Sequence, residues 1–287
     1  MEKYLDPQMQ ICIVPDKILN YLPFSTLVKP GQDKYLIEDH SITFMPSSTV
    51  YLHCTSRATE LMAQSVNERL MSIGVSTLDT QKYKQLLPLP NADEEARKIS
   101  KYYVNPLELV NRDATRQRIL SQLRKSDVVH IASHYLVDEM SPMKSQLLLT
   151  HEFSQHGSSN SVTDTLQADE IYSEYKRGGS KTRLAVLSAC DSGIERYFSG
   201  EGMIGMSRIF IASNIPLVVA SLWKVDSHAT ETLMVNFHKH RRQGQQKMAT
   251  VDALRRAQRD LIETGDEKYG RPGYWAGFMV IGGYASF

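Results

Sequence analysis

The sequence predicts an α/β fold with a mostly parallel central sheet and helices on both of its faces. Three observations predict it. Short apolar runs alternate with amphipathic helical segments along most of the 287 residues, the pattern of strand–helix–strand units. The run from Pro216 to Leu222 is almost continuously apolar, as expected of a strand buried on both faces. Leu184-Ala-Val-Leu187 leaves a Gly178-Gly179-Ser180 turn and closes on small residues, so that one thiol, Cys190, follows the carboxyl end of a core strand.

Taken in order, Gln10 to Val14 reads as a strand ended by Pro15, with Cys12 as core. Ile18 to Leu27 reads as a short helix or turn, and Lys34 to Ile37 and Ser41 to Met45 as two short strands. Pro46-Ser47-Ser48 offers a helix cap, and Ala58 to Met71 has helical spacing. Met71 to Val75 is a further strand, and residues 76–91 are polar and then proline-rich, hence a surface loop. Asp93-Glu94-Glu95 opens a helix to about Tyr103, its carboxylates suited to the positive end. Asp113 or Thr115 caps the next helix, through Ile119 and Leu123 to Lys125, and a strand over 127–132 then runs into His134.

Gln146 to Thr150 is a strand, and His151 to Thr165 reads as a mobile loop rich in Ser, Asn and Gly. A helix over Leu166 to Tyr175 precedes the Cys190 strand, and a loop over Ile194 to Gly200 leads to a helix over Gly202 to Ala212. After the Pro216 strand, Ser227 caps a helix to about His240, Lys247 to Thr264 forms another, and Trp275 to Ile281 is the closing strand. No internal repeat or Gly/Pro/Ser linker divides the chain. The expectation is one domain over 1–287, with 1–90 as a possible N-terminal subdomain and 91–287 as the catalytic core.

Composition narrows the function classes. Lys and Arg number 33 against 32 Asp and Glu, so no global field points to nucleic acid. Three cysteines without a CxxC support neither a disulfide framework nor a thiolate zinc site, and they suit a reducing cytosol. No signal segment opens the sequence, and no apolar run nears the roughly 20 residues of a membrane span. A cytoplasmic protein without membrane, metal or cofactor is expected. Gly200-Glu-Gly202-Met-Ile-Gly205 lacks the Lys-Ser/Thr of a phosphate loop. His238-x-His240 reads as a solvated helix face, His53-Cys54 as partly buried, and His240-Arg241-Arg242 as a solvated helix end.

A thiol attacks as its thiolate. A free cysteine has a pKa of about 8.5, and an adjacent histidine lowers it to roughly 3.5–7.5. A histidine can also return the proton to a leaving amine. If the strands that lead to His134 and Cys190 are neighbours, both groups stand over one sheet edge, where α/β folds collect ligands. Backbone amides in the turns after them are placed to hold an oxyanion.

Six blocks carry a resemblance. They are His130-Ile-Ala-Ser-His134, Leu187-Ser-Ala-Cys190-Asp-Ser-Gly193, Gly200-Glu-Gly202, Val218-Val-Ala-Ser-Leu-Trp223-Lys-Val-Asp226, Ala253-Leu-Arg-Arg-Ala-Gln258 and Tyr274-Trp-Ala-Gly-Phe278. With the earlier Leu19-Asn-Tyr-Leu-Pro-Phe24 and Ile42-Thr-Phe-Met-Pro-Ser-Ser48, they resemble the CHAT domain over nearly the whole chain. That is a caspase-like cysteine peptidase domain, related to separases and often attached to TPR repeats. The resemblance implies a caspase-like three-layer sandwich and a His–Cys dyad.

Carried over by position, His134 is general base and acid, Cys190 is the nucleophile, and the amides of Tyr135 and Cys190 are oxyanion donors. The family usually has glycine directly after the histidine; this chain has Tyr135. Asp226 stands where such folds build the pocket for the residue before the cut, and an acid there favours Arg or Lys. Its alternative role is a helix N-terminal acid. Asp191 and Glu201 are weaker substrate-binding candidates, each also readable as a turn or cap residue. Trp223 and Trp275 read as core.

The resemblance implies a cysteine endopeptidase acting on protein substrates, regulated by a sensor or TPR-repeat module in the same or another chain. The alternatives are a catalytically silent caspase-like scaffold that binds a protein partner, or another thiol enzyme such as an acyltransferase on the same dyad.

Overall fold

A computed structural model describes residues 5–6, 9–63, 67–79, 81–138, 140–150, 164–188, 205–243 and 248–285. The strands are β1 (Ile11–Ile13), β2 (Ile42–Phe44), β3 (Leu70–Gly74), β4 (Leu107–Val110), β5 (Val128–Ala132), β6 (Tyr135–Leu136), β7 (Gln146–Leu148), β8 (Thr165–Gln167), β9 (Leu184–Leu187), β10 (Leu217–Ser221) and β11 (Phe278–Gly282). The α-helices are α1 (Leu36–Asp39), α2 (Ser48–Met62), α3 (Ala92–Ser100), α4 (Arg116–Leu123), α5 (Ala168–Lys176), α6 (Gly205–Ala212), α7 (Ser227–Arg242), α8 (Thr250–Glu263) and α9 (Pro272–Trp275). Among the described residues, eight strands form one sheet in the order β1-β2-β11-β10-β9-β5-β3-β4, and β6, β7 and β8 form a second, antiparallel one. The large sheet is parallel except where β10 meets β11. Strands from both sides of residue 90 share it.

Alternation along each strand sorts the apolar residues into two layers. Val128, Leu184, Val186 and Val219 face α3, α7 and α8, packing with Ile99, Leu233, Phe237 and Leu254. Val129, Ile131, Ala185, Leu187 and Val218 face α4, α5 and α6, packing with Ile119, Ile171, Ile209 and Phe210. The central strands are therefore buried on both faces, which explains why their sequences do not alternate apolar with polar residues. The α/β class with helices on both faces is as expected.

Several local expectations differ. Residues 34–37 contribute an isolated bridge, Val28 to Tyr35, and then the turn of α1, where Glu38 accepts from the Tyr35 amide at 2.7 Å. Ser47 caps α2 through the Val50 amide, so that helix starts ten residues before the expected one and ends before β3. Cys12 is exposed rather than core, because β1 is an edge strand. His238 and Arg241 are fully buried, not solvated, since this side of α7 faces α3 and the sheet.

A hydrogen-bonded chain satisfies these buried groups. Glu95 bonds His130 at 2.8 Å, His130 meets His238 at 3.3 Å, and His238 bonds the Tyr103 hydroxyl at 2.8 Å. Arg241 donates to Tyr103 at 3.2 Å and pairs with Glu68 at 2.6 Å. Burial opposes ionisation of Glu68, but Arg241 and Arg242 hold its carboxyl below the usual range. His53 is exposed and meets Asn214 at 2.9 Å, while Cys54 is buried, where desolvation raises its thiol to about 11. Of the loop expected over 151–165, residues 151–163 lie outside the described residues and Thr165 opens β8; the loop expected over 194–200 also lies outside them.

Gly74 ends β3 beneath the start of α3. A Cβ there collides with the Ala92 carbonyl oxygen and meets the Ala96 Cβ at 2.8 Å. Gly74→Ala should therefore destabilise the protein by about 1–3 kcal/mol through overpacking. Chemical denaturation measures it, and an unchanged midpoint would show that α3 shifts freely.

Candidate active site

The order β4-β3-β5-β9-β10 grows outward from β3 in both directions. The chain therefore reverses between β3 and β5, with α3 on one face and α4, α5 and α6 on the other. Crevices in such sheets open at that reversal, outside the strand carboxyl ends. The segments after β3 and β5 border it, and β9 and β10 bring their own ends alongside.

His134 follows β5 by two residues and is 1% exposed. Its backbone is pinned from β7, where the Leu148 amide donates to the His134 carbonyl at 2.9 Å. The Ser133 hydroxyl donates to the Leu148 carbonyl. Tyr135 then pairs with Leu147. Because the bond at this level joins Leu148 to His134, the pair is a non-hydrogen-bonded one, and the Tyr135 amide points away from β7.

Burial pushes the imidazole of His134 down to about 4, the charge of Lys224 adds to this, and the Leu87 backbone acts in the opposite sense. The imidazole is thus neutral near pH 7. Its Nδ1 has no hydrogen-bond partner among the described residues.

The segment after β3 is tied down beside it. Lys82 and Tyr83 reach the buried Asp164 carboxylate at 2.5 and 3.0 Å. Leu89 packs with Ala92 and Ala132. The described part of 76–91 is therefore a surface loop that also packs beside the end of β5 and His134. Lys224 and the Leu87 backbone were not singled out in the sequence. Lys224 lies inside the block from Trp223 to Asp226 and carried a signal as the cation next to an expected pocket acid. Leu87 acts through its backbone, which leaves no side-chain signature.

The next strand across is β9, parallel to β5, with Leu187 opposite Ile131 and the Ser188 amide donating to the Ile131 carbonyl at 2.9 Å. His134 is three residues beyond Ile131, and Cys190 is three beyond Leu187. Cys190, Asp191 and Glu201 lie outside the described residues.

Asp226 is exposed and is itself the cap of α7, a role the sequence reading gave to Ser227, which is the first helical residue. Its Oδ1 accepts from the amides of His228 and Ala229, both at 3.1 Å. Trp275 is buried, as expected, whereas Trp223 is only half-buried and donates to the Gly273 carbonyl at 3.1 Å. Among the described residues, no three His, Cys, Asp or Glu side chains group to hold a metal, and no helix is long and apolar enough to cross a membrane.

A family model for the CHAT domain matches residues 2–283. Tetratricopeptide repeat protein 28 of Mus musculus and of Homo sapiens are each 24% identical over 305 residues, 95% of this chain. The chain spans only 12% of the length of these relatives. Among solved structures, Saccharomyces cerevisiae separase in its complex with securin superposes with a TM-score of 0.55 at 14% identity, over 94% of this chain and 15% of that one. The Arg-specific cysteine proteinase gingipain R does so with a TM-score of 0.53 at 10% identity, over 90% of this chain and 56% of that one. These likenesses establish the caspase-like fold.

The depressed His134 has a stability consequence. Its folded pKa of about 4 lies below the ordinary 6.5, so the unfolded chain binds the extra proton between those values. Its contribution is complete above pH 6.5 and is lost as pH falls through about 4. His238, also lowered by burial, contributes in the same direction. In His134→Asn, the fall of unfolding free energy with decreasing pH should be shallower by up to about 1.4 kcal/mol per pH unit within that window. Urea titrations at pH 4.5, 5.5 and 7 measure this, and equal slopes in both proteins would contradict a buried neutral imidazole.

Proposed function

The chain belongs to the CHAT domain family, and on that premise we propose that it is a cysteine endopeptidase acting on protein substrates through His134 and Cys190. The parallel pairing of β5 with β9 is the observation that carries this reading, because the two residues follow adjacent strands at equal distances from a register pair. The caspase-like fold supports it.

In this reading neutral His134 takes the proton of the Cys190 thiol as Sγ attacks the carbonyl carbon of the scissile bond. The carbonyl π electrons move to oxygen, and the oxyanion is held by the amides of Tyr135 and Cys190. Collapse of this intermediate breaks the C–N bond, and the His134 proton passes to the leaving amine. Water, deprotonated by the same imidazole, then hydrolyses the thioester and returns the thiol. A cation such as Lys224, which disfavours an imidazolium, favours a thiolate and an oxyanion nearby.

Asp226 is the acid proposed to select the residue before the cut. Its Oδ1 is committed to the helix cap, leaving Oδ2 to receive an Arg or Lys. Asp191 and Glu201 are secondary candidates for the same pocket. Regulation by a sensor or repeat module, in this or another chain, is supported by the names of the tetratricopeptide repeat relatives and by the small part of their length that this chain spans. A cytoplasmic location fits the sparse cysteines. A catalytically silent scaffold is favoured by one feature, the bulk of Tyr135 beside the histidine.

A mixed peptide library read by mass spectrometry tests the proposal. Wild type should cut after Arg or Lys, with cleavage lost by about a thousandfold or more in Cys190→Ala and in His134→Ala. Cleavage that persists in either variant would refute the dyad, and intact peptides with the wild type and its co-purified partner would favour the scaffold. Asp226→Asn should lower kcat/KM for Arg or Lys substrates by about tenfold or more while sparing neutral ones. Equal losses for both would remove Asp226 from the pocket.

A further inference from the structure

At the sheet edge opposite His134, a cavity of about 650 Å³ opens beside the amino ends of β3, β5 and β9. Five cations line it, Arg69, Arg124, Lys125, Lys181 and Arg183, against two acids, Asp127 and Glu174. The acids are already engaged. Asp127 pairs with the buried Arg183 at 3.1 Å and accepts from the Arg69 amide at 2.9 Å, and Glu174 pairs with Arg124 at 2.8 Å. Those pairs form the floor and one wall. Arg69, Lys125 and Lys181 remain on the rim, all exposed. Among the described residues none of the three is paired with a carboxylate; the Arg69 guanidinium donates to Gln122 at 3.0 Å.

The carboxyl ends of α4 and α5 reach this edge, where Arg124 donates to the Gly178 carbonyl at 2.7 Å and the Lys181 amide to the Arg124 carbonyl at 3.0 Å. Each helix end is worth about half a negative charge. Together they offset about one of the three rim cations and leave a clear positive excess. The cavity has the volume of a small-molecule site, more than a single phosphate fills.

We propose that this cavity binds a compact anion bearing two or more phosphate groups, through Arg69, Lys125 and Lys181. The rim supplies separate point charges and one planar donor fork, which suit clustered phosphoryl oxygens. The site is independent of the peptidase reading, since it shares no residue with the His134 crevice.

Calorimetric titration of the full chain with tripolyphosphate tests this, with citrate as a carboxylate control of comparable charge. One saturable site is expected for tripolyphosphate, weakening with added salt, and citrate should bind at least about tenfold more weakly. The double variant Lys125→Glu/Lys181→Glu alters only exposed rim positions and should keep its melting temperature while losing about tenfold or more in affinity. Unchanged affinity in that variant, citrate binding as tightly, or no binding to wild type would each overturn the proposal. Vesicles of phosphatidylcholine with phosphatidylinositol bisphosphate separate the sources: wild-type sedimentation that the variant loses assigns a lipid headgroup, and tripolyphosphate binding without sedimentation assigns a soluble anion.

Discussion

The parallel pairing of β5 with β9 in the middle of the sheet is the constraint on which the site depends. Parallel strands place their carboxyl ends on one edge, and the register of Ile131 with Leu187 fixes how far each chain has travelled when it leaves the sheet. Shifting either strand by one residue would turn its apolar side chains from one helical layer to the other. Both layers are closely packed, so the register is held by the same burial that stabilises the domain. The strand order reverses beside β3 at that edge, where folds of this kind collect ligands, and the segment after β3 is tied there to Asp164, just before β8.

The interior on the α3–α7 side is less apolar than its surroundings. Glu95, His130, His238, Tyr103, Arg241 and Glu68 form a hydrogen-bonded series beneath strands of the same sheet. Each member would be costly alone and is tolerated because its neighbour satisfies it. His134, by contrast, is buried with an unpartnered Nδ1 among the described residues, and its imidazole is held neutral. Both ring nitrogens of His130 and His238 are engaged, while Nδ1 of His134, like that of the buried His40, has no partner among the described residues. A proton-accepting role requires such a nitrogen.

Much of this was legible in the sequence, for identifiable reasons. β5, β9 and β10 announced themselves because strands buried on both faces cannot alternate apolar with polar residues. The offsets of His134 and Cys190 from those strands followed directly. β4, β6 and β8 were not seen, being two to four residues long with ordinary composition and defined by their partners. The α2 boundary was missed because the chain from Ser48 to Thr59 is polar and β-branched, and tertiary packing of Cys54, Ala58 and Leu61 overrides weak propensity. Arg241 and His238 look solvated from the sequence because their partners are remote, Glu68 lying 173 residues from Arg241 and Tyr103 lying 135 from His238, pairings no local pattern reveals. Lys224 near His134 is likewise a product of β10 lying two strands from β5.

The central claim is that β5 and β9 deliver His134 and Cys190 to a common crevice. Thiol cross-linking tests it most directly. In a chain with Cys12→Ser, Cys54→Ser and His134→Cys, dibromobimane should join positions 134 and 190 within one molecule, giving a single cross-linked peptide pair after digestion. Separate single adducts at the two positions, with no cross-linked pair at any reagent concentration, would contradict it.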